Sequence, residues 1–562
     1  MKLQIGILIV LILLVFDNLS YGQKTNLELR SSPQIKFKKR FSTNESAINY
    51  LDQKVLELRK KGYAEANIDS LHTNNDSIFS FIHIGDKYTW AKIEFDSIPI
   101  ELISSFQNKL TKIEGSPFRA EQGQEIGNEI VSHYENNGYP FAKVVFDSVL
   151  FENNSVQEKI TLIKGPIIFI DSISIKGETK INPYIIYRHI GIKKGSIYSE
   201  KKIRSIPTTF QNIPYLEMIR PQEFYFTQSK NILFLYIKDR KSNRFSGILG
   251  FQNDPTSGKL MLTGDISLGL NNAFKQGEWI NFSWNQFQNA SQKLHLNIGF
   301  PYVFKSPIGF EATLDLFKQD TTFIDVRFEG SILFSISQLS RFELSIASRQ
   351  SNSLSAVPTN TSSLANISMT NYSLGLIHRN YDYNYNPRKG LGGDAKVTLS
   401  NKAINNEVEG DSISTDPIQY QAVLNLKYFI PTFSKQTLGL FVQAGAIFND
   451  HLFQNEMFRL GGLKSIRGFN EESIYASQYG VGTLEYRYLY EKNANIRVFT
   501  DLAFLKNQEV NSDFQFIFGF GIGVSLETKA GIFNIDYAMG KKENEILQLS
   551  DAKVHIGYVN NF

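Results

Sequence analysis

Two kinds of hydrophobic periodicity divide the chain near residue 241. Before this point apolar residues recur at helical spacing, as in NYLDQKVLELRKKGYAEANIDSL (49–71), between segments that have the pattern of strands. After it the helical period disappears, and segments such as KLMLTGDISLGL (259–270) and NIRVFTDLAFL (495–505) alternate apolar with small or polar residues. About sixteen such segments follow one another, at the ~20 residues per strand and connection that a transmembrane barrel needs. We therefore predict a mixed fold, with tandem N-terminal α+β modules followed by an antiparallel transmembrane β-barrel of about sixteen strands.

A repeated motif organises the first part of the chain. Gly62-Tyr63 with Ala66 recurs as Gly138-Tyr139 with Ala142 at the same offset, each time between a helical segment and a strand. We predict three modules of β–α–α–β–β order, and we expect the first to lack its opening strand and helix. Their edge strands could pair with an extended segment of another chain. The predicted boundaries are residues 24–90, 91–165 and 166–241, followed by the barrel at 242–562.

The N-terminus predicts export. Lys2 precedes the apolar run IGILIVLILLVF (5–16), and Ser20 and Gly22 are small residues that suit cleavage before Gln23. The run is shorter than the roughly 20 apolar residues of a membrane-spanning helix, so we predict a signal peptide at residues 1–22. The chain has no cysteine and hence no site for a lipid anchor, so a membrane role would come from the barrel.

Composition narrows the function classes. A formal net charge of +4 from 59 basic and 55 acidic residues gives no basic face for nucleic acid. The aromatic fraction of 13% would supply the interfacial girdles of an outer-membrane barrel. The glycines of GFGIGV (519–524) alternate along a strand and no helix follows, which argues against a dinucleotide loop. We find no spacing of a hydrolase, metalloprotease or P-loop, and we predict no enzyme activity, no cofactor and no metal site.

The stretch RLGGLKSIRGFNEES (459–473) lies between two predicted strands and is too long and too distinctive in sequence for an ordinary turn. If the modules lie in the periplasm, the turn DYNYNPRKG (382–390) after the eighth strand is periplasmic, and the stretch 459–473 after the eleventh strand is an external-side loop long enough to fold back into the lumen. Strand alternation in 495–505 turns Phe499 and Asp501 inward, where a charge needs a partner. We predict paired, charge-assisted hydrogen bonds from Arg467 to Asp501.

The neighbours of Arg467 have predicted roles of their own. Gly468 permits a tight backbone turn, and Phe469 packs against the wall. Glu485 and Asp536 also face inward by the same alternation, and they are alternative partners for the guanidinium.

The tandem modules followed by a barrel that carries FRLGGLKSIRGF (458–469) resemble the BamA/TamA surface-antigen superfamily of outer-membrane assembly and translocation proteins. The most diagnostic element of that family is an arginine, a glycine and an aromatic residue in this loop, and they match Arg467, Gly468 and Phe469 here. Gly461 and Gly462 lie just before them. The family's second signature resembles FTDLA (499–503), with Ala503 where glycine is usual, which would leave less room for a packed loop. The modules would then be POTRA domains.

The end of the chain resembles the C-terminal signals by which outer-membrane strands are recognised during assembly. Phe562 follows a strand in which Tyr558 and Ile556 share one face, and Asn560 interrupts the pattern. The same segment could serve simply as the closing strand of the barrel.

The resemblance implies a function and a set of partners. It implies an outer-membrane protein whose periplasmic modules receive unfolded outer-membrane or exported polypeptides, surrounded by membrane lipids, with periplasmic or inner-membrane proteins as further partners of the modules. A two-partner-secretion pore for one dedicated substrate is an alternative, although no plug helix is evident in QKTNLELRSSPQIKF (23–37). An alternative of a different functional class is a passive channel or a structural surface protein.

Overall fold

The computed structural model describes residues 25–32, 37–74, 77–227, 229–253, 260–287, 291–337, 339–354, 364–383, 386–404, 417–508, 513–528, 532–542 and 552–561. The predicted signal peptide at 1–22 and Phe562 lie outside these residues. The chain divides into two compact units, residues 1–169 with 197–201 and residues 170–196 with 202–562. None of the described helices is long and apolar enough to cross a lipid bilayer.

The first module is a four-stranded sheet with one helix. Strand β1 (Thr25–Ser32) pairs antiparallel with β2 (Phe37–Phe41) and parallel with β4 (Ser77–His83), and β3 (Asn67–Asn74) pairs with the other edge of β4. Helix α1 (Asn44–Lys60) buries one apolar stripe. The expectation that this module lacks its opening strand is therefore wrong, because β1 is that strand. Strand β2 lies between β1 and α1, where the predicted β–α–α–β–β order has its first helix.

The second module has the predicted β–α–α–β–β order, with its first helical segment broken in two. Its middle strand β7 pairs parallel with β5 and antiparallel with β6, which leaves β5 and β6 as the sheet edges. Trp90, Ile126 and Ile160 lie in its apolar core. The elements are β5 (Thr89–Asp96), α2 (Ile100–Ser105), α3 (Gln107–Ile113), α4 (Ala120–Asn136), β6 (Lys143–Glu152) and β7 (Ser155–Ile163).

The repeated glycines end the long helix of each of these modules. Gly62 follows α1 with a φ of 100° and Gly138 follows α4 with a φ of 99°, a left-handed backbone that glycine adopts without a steric penalty. Ala66 and Ala142, four residues further on, are buried where the chain enters the next strand. The Gly-Tyr-x-x-Ala motif is thus a helix stop followed by a core contact.

The third module repeats this order in the second unit. Strand β10 pairs parallel with β8 and antiparallel with β9. The Asn182 side chain caps the first helix by accepting a hydrogen bond from the backbone N–H of Tyr184, and Gly191 ends that helix in the left-handed conformation. The elements are β8 (Ser172–Lys176), α5 (Pro183–Ile190), α6 (Glu200–Gln211), β9 (Leu216–Phe226) and β10 (Asn231–Asp239).

Sixteen antiparallel strands follow, which confirms the predicted fold class and strand number. Each pairs with its neighbours in the chain, and a long loop containing the short hairpin of β22 and β23 separates the eleventh strand from the twelfth. The hairpin strands are β22 (Phe458–Leu460) and β23 (Ile474–Ala476). The sixteen strands of the barrel are β11 (Arg244–Asn253), β12 (Leu260–Asn271), β13 (Trp279–Phe287), β14 (Ser291–Phe300), β15 (Ile308–Gln319), β16 (Phe323–Ser335), β17 (Ser340–Ser353), β18 (Ile367–Tyr381), β19 (Gly390–Ile404), β20 (Ile418–Phe433), β21 (Gln436–Phe448), β24 (Gln478–Glu491), β25 (Ala494–Lys506), β26 (Gln515–Glu527), β27 (Ile532–Lys542) and β28 (Lys553–Asn561).

The first and last strands meet at a short seam. Within the described residues β11 pairs with β28 at two positions, Arg244 with Asn561 and Phe245 with Asn560. In β28, Ile556 and Tyr558 pair through their backbones with β27, but their side chains lie outside the described part of the structure. The sheet therefore curves round to a junction much shorter than its other strand pairs.

The third module contacts the end of the barrel at which β11 begins, which we call the module-side end. The backbone N–H of Asn182 donates to the Lys275 carbonyl at 3.2 Å, in the turn between β12 and β13. The Asn212 side-chain amide donates to the Tyr381 carbonyl at 3.1 Å, where β18 ends. The third module is thus held against at least two barrel turns.

Candidate functional site

The connection between β21 and β24 folds back against the barrel wall. It spans residues 449–477 and contains one 3-10 turn at Gln454–Glu456 as well as the β22–β23 hairpin. Because it follows the eleventh barrel strand, it starts at the end opposite the module-side end. Two clusters of polar side chains hold it, one at its tip and one at its base.

The tip cluster is centred on Arg467, which is buried. Its Nε donates to Asp501 Oδ2 at 2.9 Å and its Nη2 donates to Asp501 Oδ1 at 2.7 Å, a two-pronged contact. Its Nη1 donates to Glu485 Oε2 at 2.7 Å, and its backbone N–H donates to Asp501 Oδ2 at 3.0 Å. The guanidinium carbon lies 3.4 Å from the centroid of the Phe499 ring. Arg467 thus combines a planar two-pronged contact, a further N–H donor on Nη1 and stacking on a ring, a combination that lysine cannot reproduce.

Two side chains of β24 also hold the wall carboxylates, Thr483 across the strand pair to Asp501 and Arg487 on the same strand as Glu485. Thr483 Oγ donates to Asp501 Oδ1 at 2.7 Å, and Arg487 Nε donates to Glu485 Oε1 at 2.5 Å. Glu485 is therefore a second, simultaneous partner of Arg467 rather than an alternative to Asp501. Asp536 does not pair with Arg467, because it forms its ion pair with Arg497 at 2.5 Å.

Glycines make the close approach of the tip possible. Gly468 has a φ of 92°, and a Cβ there would lie 2.4 Å from the Gly540 backbone nitrogen. On the wall, a Cβ at Gly519 would lie 2.0 Å from the Arg467 carbonyl oxygen, and one at Gly540 would lie 2.6 Å from the Phe469 ring. Gly519 belongs to the stretch whose glycines alternate in the sequence, and one role of that alternation is to leave space for the loop.

The two glycines before the tip shape its entry. Gly461 and Gly462 have φ values of 107° and 90°, and the backbone N–H of Gly462 donates to the Ile466 carbonyl at 3.1 Å. Ile466 is fully buried in an apolar cluster that also contains Ala503. The alanine at the position where glycine is usual in the family therefore packs beside the loop rather than excluding it.

The base cluster, which no sequence pattern predicted, holds the start of the loop against earlier strands. Arg349 makes a two-pronged contact with Asp325 at 2.9 Å and 2.9 Å, and its Nη2 also donates to the Asn455 carbonyl at 2.8 Å. The Asn455 side chain, which is fully buried, donates to Ser351 Oγ at 2.8 Å and to the Ala365 carbonyl at 2.9 Å. The base of the loop is thereby tied to β16 and β17.

A second ion pair completes the base cluster. Lys402 and Glu456 lie 2.6 Å apart, with side chains that are each 1% exposed. Arg459 stacks on Phe317, with its guanidinium carbon 3.8 Å from the ring centroid, and its Nε donates to Glu472 at 3.3 Å. No motif marked these residues, although the run QNEMFRL (454–460) places polar residues next to the diagnostic stretch.

The family of the chain follows from comparison with known proteins. A family model described as the Omp85 superfamily domain matches residues 272–557, which include most of the barrel and the whole loop. The chain belongs to the Omp85 superfamily. Members of the superfamily are outer-membrane proteins that act, without enzymatic chemistry, in the assembly or translocation of polypeptides. The predicted resemblance to this family and the predicted outer-membrane β-barrel are confirmed.

Solved structures with this Omp85 fold share little sequence with the chain. CdiB from Escherichia coli is 12% identical over 92% of this chain and 98% of its own, with a TM-score of 0.53. CdiB from Acinetobacter baumannii is 14% identical over 91% and 98%, with a TM-score of 0.51. BamA from Haemophilus ducreyi lacking POTRA domains 1–3 is 16% identical over 84% and 100%, with a TM-score of 0.44. No curated protein sequence matches the chain.

The side chains of this site hold the loop in position. Among the described residues, no group of three or more His, Asp or Glu side chains could hold a metal ion. The charged groups at the tip are instead paired with one another and sequestered from water. What this arrangement can do is fix the loop in one place on the wall.

Proposed function

We propose that this Omp85 protein assists the insertion or translocation of other polypeptides at the outer membrane, with the modules at 24–90, 91–165 and 166–241 in the periplasm. The modules receive unfolded outer-membrane or exported chains, and the barrel at 242–562 passes them into or across the membrane. Lipids surround the barrel, and the modules offer surfaces to periplasmic or inner-membrane proteins. No catalytic group takes part in this proposal.

The edge of the second module supports a role in receiving extended chains. Strand β6 is at the edge of its sheet, and it exposes Phe146, Val149 and Leu150. An edge strand offers unpaired backbone groups to an incoming strand, and exposed apolar side chains add contact area. An extended client segment could therefore pair with β6.

The observation that carries the proposal is the loop clamped by charges at both its tip and its base. Ordering a long loop costs conformational entropy, which these buried contacts offset. The loop, held at its tip and base, thus presents one fixed surface past which the barrel could guide a polypeptide.

A second candidate is a two-partner-secretion-type pore for one dedicated substrate. The similarity to two CdiB structures over more than nine tenths of the chain favours it at the level of fold. The described residues before α1 form the strands β1 and β2, whereas a plugged pore of that type would carry a helix ahead of its modules. For this reason we favour an assembly function over a dedicated secretion pore.

Depletion of the protein followed by quantitative comparison of outer-membrane proteomes tests the proposal. We expect lower surface abundance of several outer-membrane or exported proteins, with unchanged transcripts. Loss of one exported protein alone would select the dedicated secretion pore. An unaltered proteome, together with ion conductance by the purified protein, would select the passive channel and contradict the proposal.

A further inference from the structure

A polar cavity of about 380 Å³ lies in the barrel lumen near the module-side end. Inward-facing residues of β18 to β21 and β24 line it, and its cations are Arg379, Lys427 and Arg487. Tyr381 also lines it, and the carbonyl of Tyr381 accepts the hydrogen bond from the third module. The cavity therefore lies next to a point at which that module touches the barrel.

The charges around this cavity do not balance. Asp394, a lining residue, is already bridged by Arg379 at 3.1 Å and accepts a further hydrogen bond from Asn425 at 2.8 Å. Glu485, which pairs with the lining residue Arg487, is shared with the tip cluster. Within the described part of the chain Lys427 makes no ion pair, so it carries the excess positive charge. The connected set holds four cations and three carboxylates: Arg379, Lys427, Arg467 and Arg487 with Asp394, Glu485 and Asp501.

Two of these cations, Lys427 and Arg487, have N–H donors that face the cavity without a partner among the described residues. Lys427 is exposed to the lumen, and its Nζ lies 5.7 Å from the centroid of the Phe441 ring. The Arg487 guanidinium carbon lies 5.7 Å from that same centroid. Arg487 donates to Glu485 through Nε, and its two terminal nitrogens make no hydrogen bond within the described residues. The Lys427 ammonium and one edge of the Arg487 guanidinium are therefore both available to an anion.

The size and chemistry of the cavity indicate its occupant. Its volume is near the lower end of the range for small-molecule pockets, so it suits one side chain better than a large cofactor. A single carboxylate matches the excess charge, and it is the group that arginine and lysine bind through charge-assisted hydrogen bonds. In an extended polypeptide alternate side chains project to one side, so one acidic residue could enter while the backbone continues along the lumen.

We propose that this cavity binds the carboxylate of an Asp or Glu side chain in an extended client polypeptide, with Lys427 and Arg487 as its donors. The proposal rests on the proposed function only for the origin of that polypeptide. The site itself is defined by the lumen geometry and by the unpaired charge of Lys427.

Peptide binding to the purified full-length chain in detergent micelles tests the site. The probe is a labelled peptide of about ten residues, the length of a barrel strand, with alternating Thr and Val around one central Asp and with both termini blocked. The Asp is then its only carboxylate, and the same peptide with Asn is the reference. Fluorescence anisotropy gives both affinities, and we expect the Asp peptide to bind about tenfold more tightly because it makes charge-assisted contacts.

Four proteins are compared, and heat-modifiable gel mobility establishes that each retains a folded barrel. In Lys427→Gln we expect the preference for Asp over Asn to disappear, and in Lys427→Arg we expect most of it to remain. Lys435→Gln is the matched control, because Lys435 is an exposed lysine on the β20–β21 turn that does not line the cavity, and its preference should equal that of the natural chain.

Three results would overturn the proposal. An unchanged preference in Lys427→Gln would show that Lys427 does not bind the carboxylate. An equal loss in Lys435→Gln would show a general charge effect, and binding of inorganic phosphate at Lys427 without any preference between the peptides would assign the cavity to a different anion. The binding assay requires no cellular activity. A depletion experiment that contradicts the proposed function would therefore leave the evidence for the carboxylate site intact, and a negative binding result would leave the proposed function intact.

Discussion

The second module and the barrel bury carboxylates in opposite ways. In the module, Glu158 on β7 is 8% exposed, and its Oε2 has no hydrogen-bond partner among the described residues. In the barrel, Asp501 is fully buried and accepts hydrogen bonds from Arg467 and Thr483. A buried charge is costly unless it is paired, so the two regions should respond in opposite directions when a charge is removed.

The two regions differ because their interiors differ. The module core is apolar, as in a soluble domain, and burial raises the pKa of Glu158 to about 6. Gly123 on α4 leaves the space for this carboxyl, since a Cβ there would lie 2.0 Å from Oε2. The barrel turns apolar side chains outward, and at the tip cluster its inward carboxylates Asp501 and Glu485 are paired with Arg467. Glu158 is thus a stability cost in the module, whereas Asp501 is part of a complete network.

The largest effect should come from Arg467→Ala. Removing the guanidinium leaves Asp501 and Glu485 without their shared partner, which typically costs about 3–5 kcal/mol for a buried pair. We expect faster hydrogen exchange and proteolysis in residues 458–476, preserved strand pairing in the barrel, and at least a tenfold loss of client assembly, a factor that corresponds to ~1.4 kcal/mol. Arg467→Lys should recover part of this, because an ammonium lacks the two-pronged contact. Normal protection of the loop in the alanine variant would refute the tip anchor.

The base cluster should show a similar cost that a second substitution relieves. Glu456→Leu alone leaves Lys402 buried without its carboxylate, and we expect the base of the loop to lose about 3–5 kcal/mol of local stability. Adding Lys402→Met removes the stranded charge, and the double variant should recover most of that loss. Hydrogen exchange of residues 449–460 measures both. Equal costs in the single and double variants would mean that the pair does not act as a unit.

A smaller effect is expected from added volume on the wall. In Gly519→Ala the new methyl group would overlap the Arg467 carbonyl, and overpacking of this kind typically costs about 1–3 kcal/mol. Gly482→Ala is the control, since a Cβ at Gly482 would meet no atom within 4 Å. Protection of the loop should fall in the first variant and stay unchanged in the second. Equal protection would show that the tip does not depend on this glycine.

The smallest effect has the opposite sign. The folded-state pKa of Glu158 is raised above its usual 4.5, so the free energy of unfolding should fall as pH rises from about 4.5 to about 6 and stay lower above that. Glu158→Gln should remove this dependence and stabilise the module by about 1–2 kcal/mol at pH 7.5. Urea unfolding of fragment 24–241 measures it through Trp90, the one tryptophan of that fragment. The fragment must also fold by itself, as we predict for the modules. A pH-independent difference between the two proteins would contradict the role of the charge.

Much of the fold and part of the site could be predicted because their signals are local. Strand alternation in 495–505 is enough to turn Asp501 inward, and the strand order is enough to place the loop that carries Arg467 opposite the module-side end. The base cluster carries no such signal. Arg349 and Asn455 are separated by 106 residues and meet only because the loop crosses to strands that no local pattern selects. Strand β1 was missed for a related reason, since it completes its sheet by pairing with β4 some fifty residues later.

The partners of the two loop anchors are synthesised at different times. The base binds strands that precede it, β16, β17 and β19, whereas the tip waits for Asp501, 34 residues further along, and for the glycines of β26 and β27. During synthesis or folding the base can dock first, and the tip can complete its contacts only when the last quarter of the barrel is in place. The Arg467–Asp501 contact is thus a late step that depends on a complete barrel, and a chain truncated before β25 would leave the tip with Glu485 as its carboxylate partner.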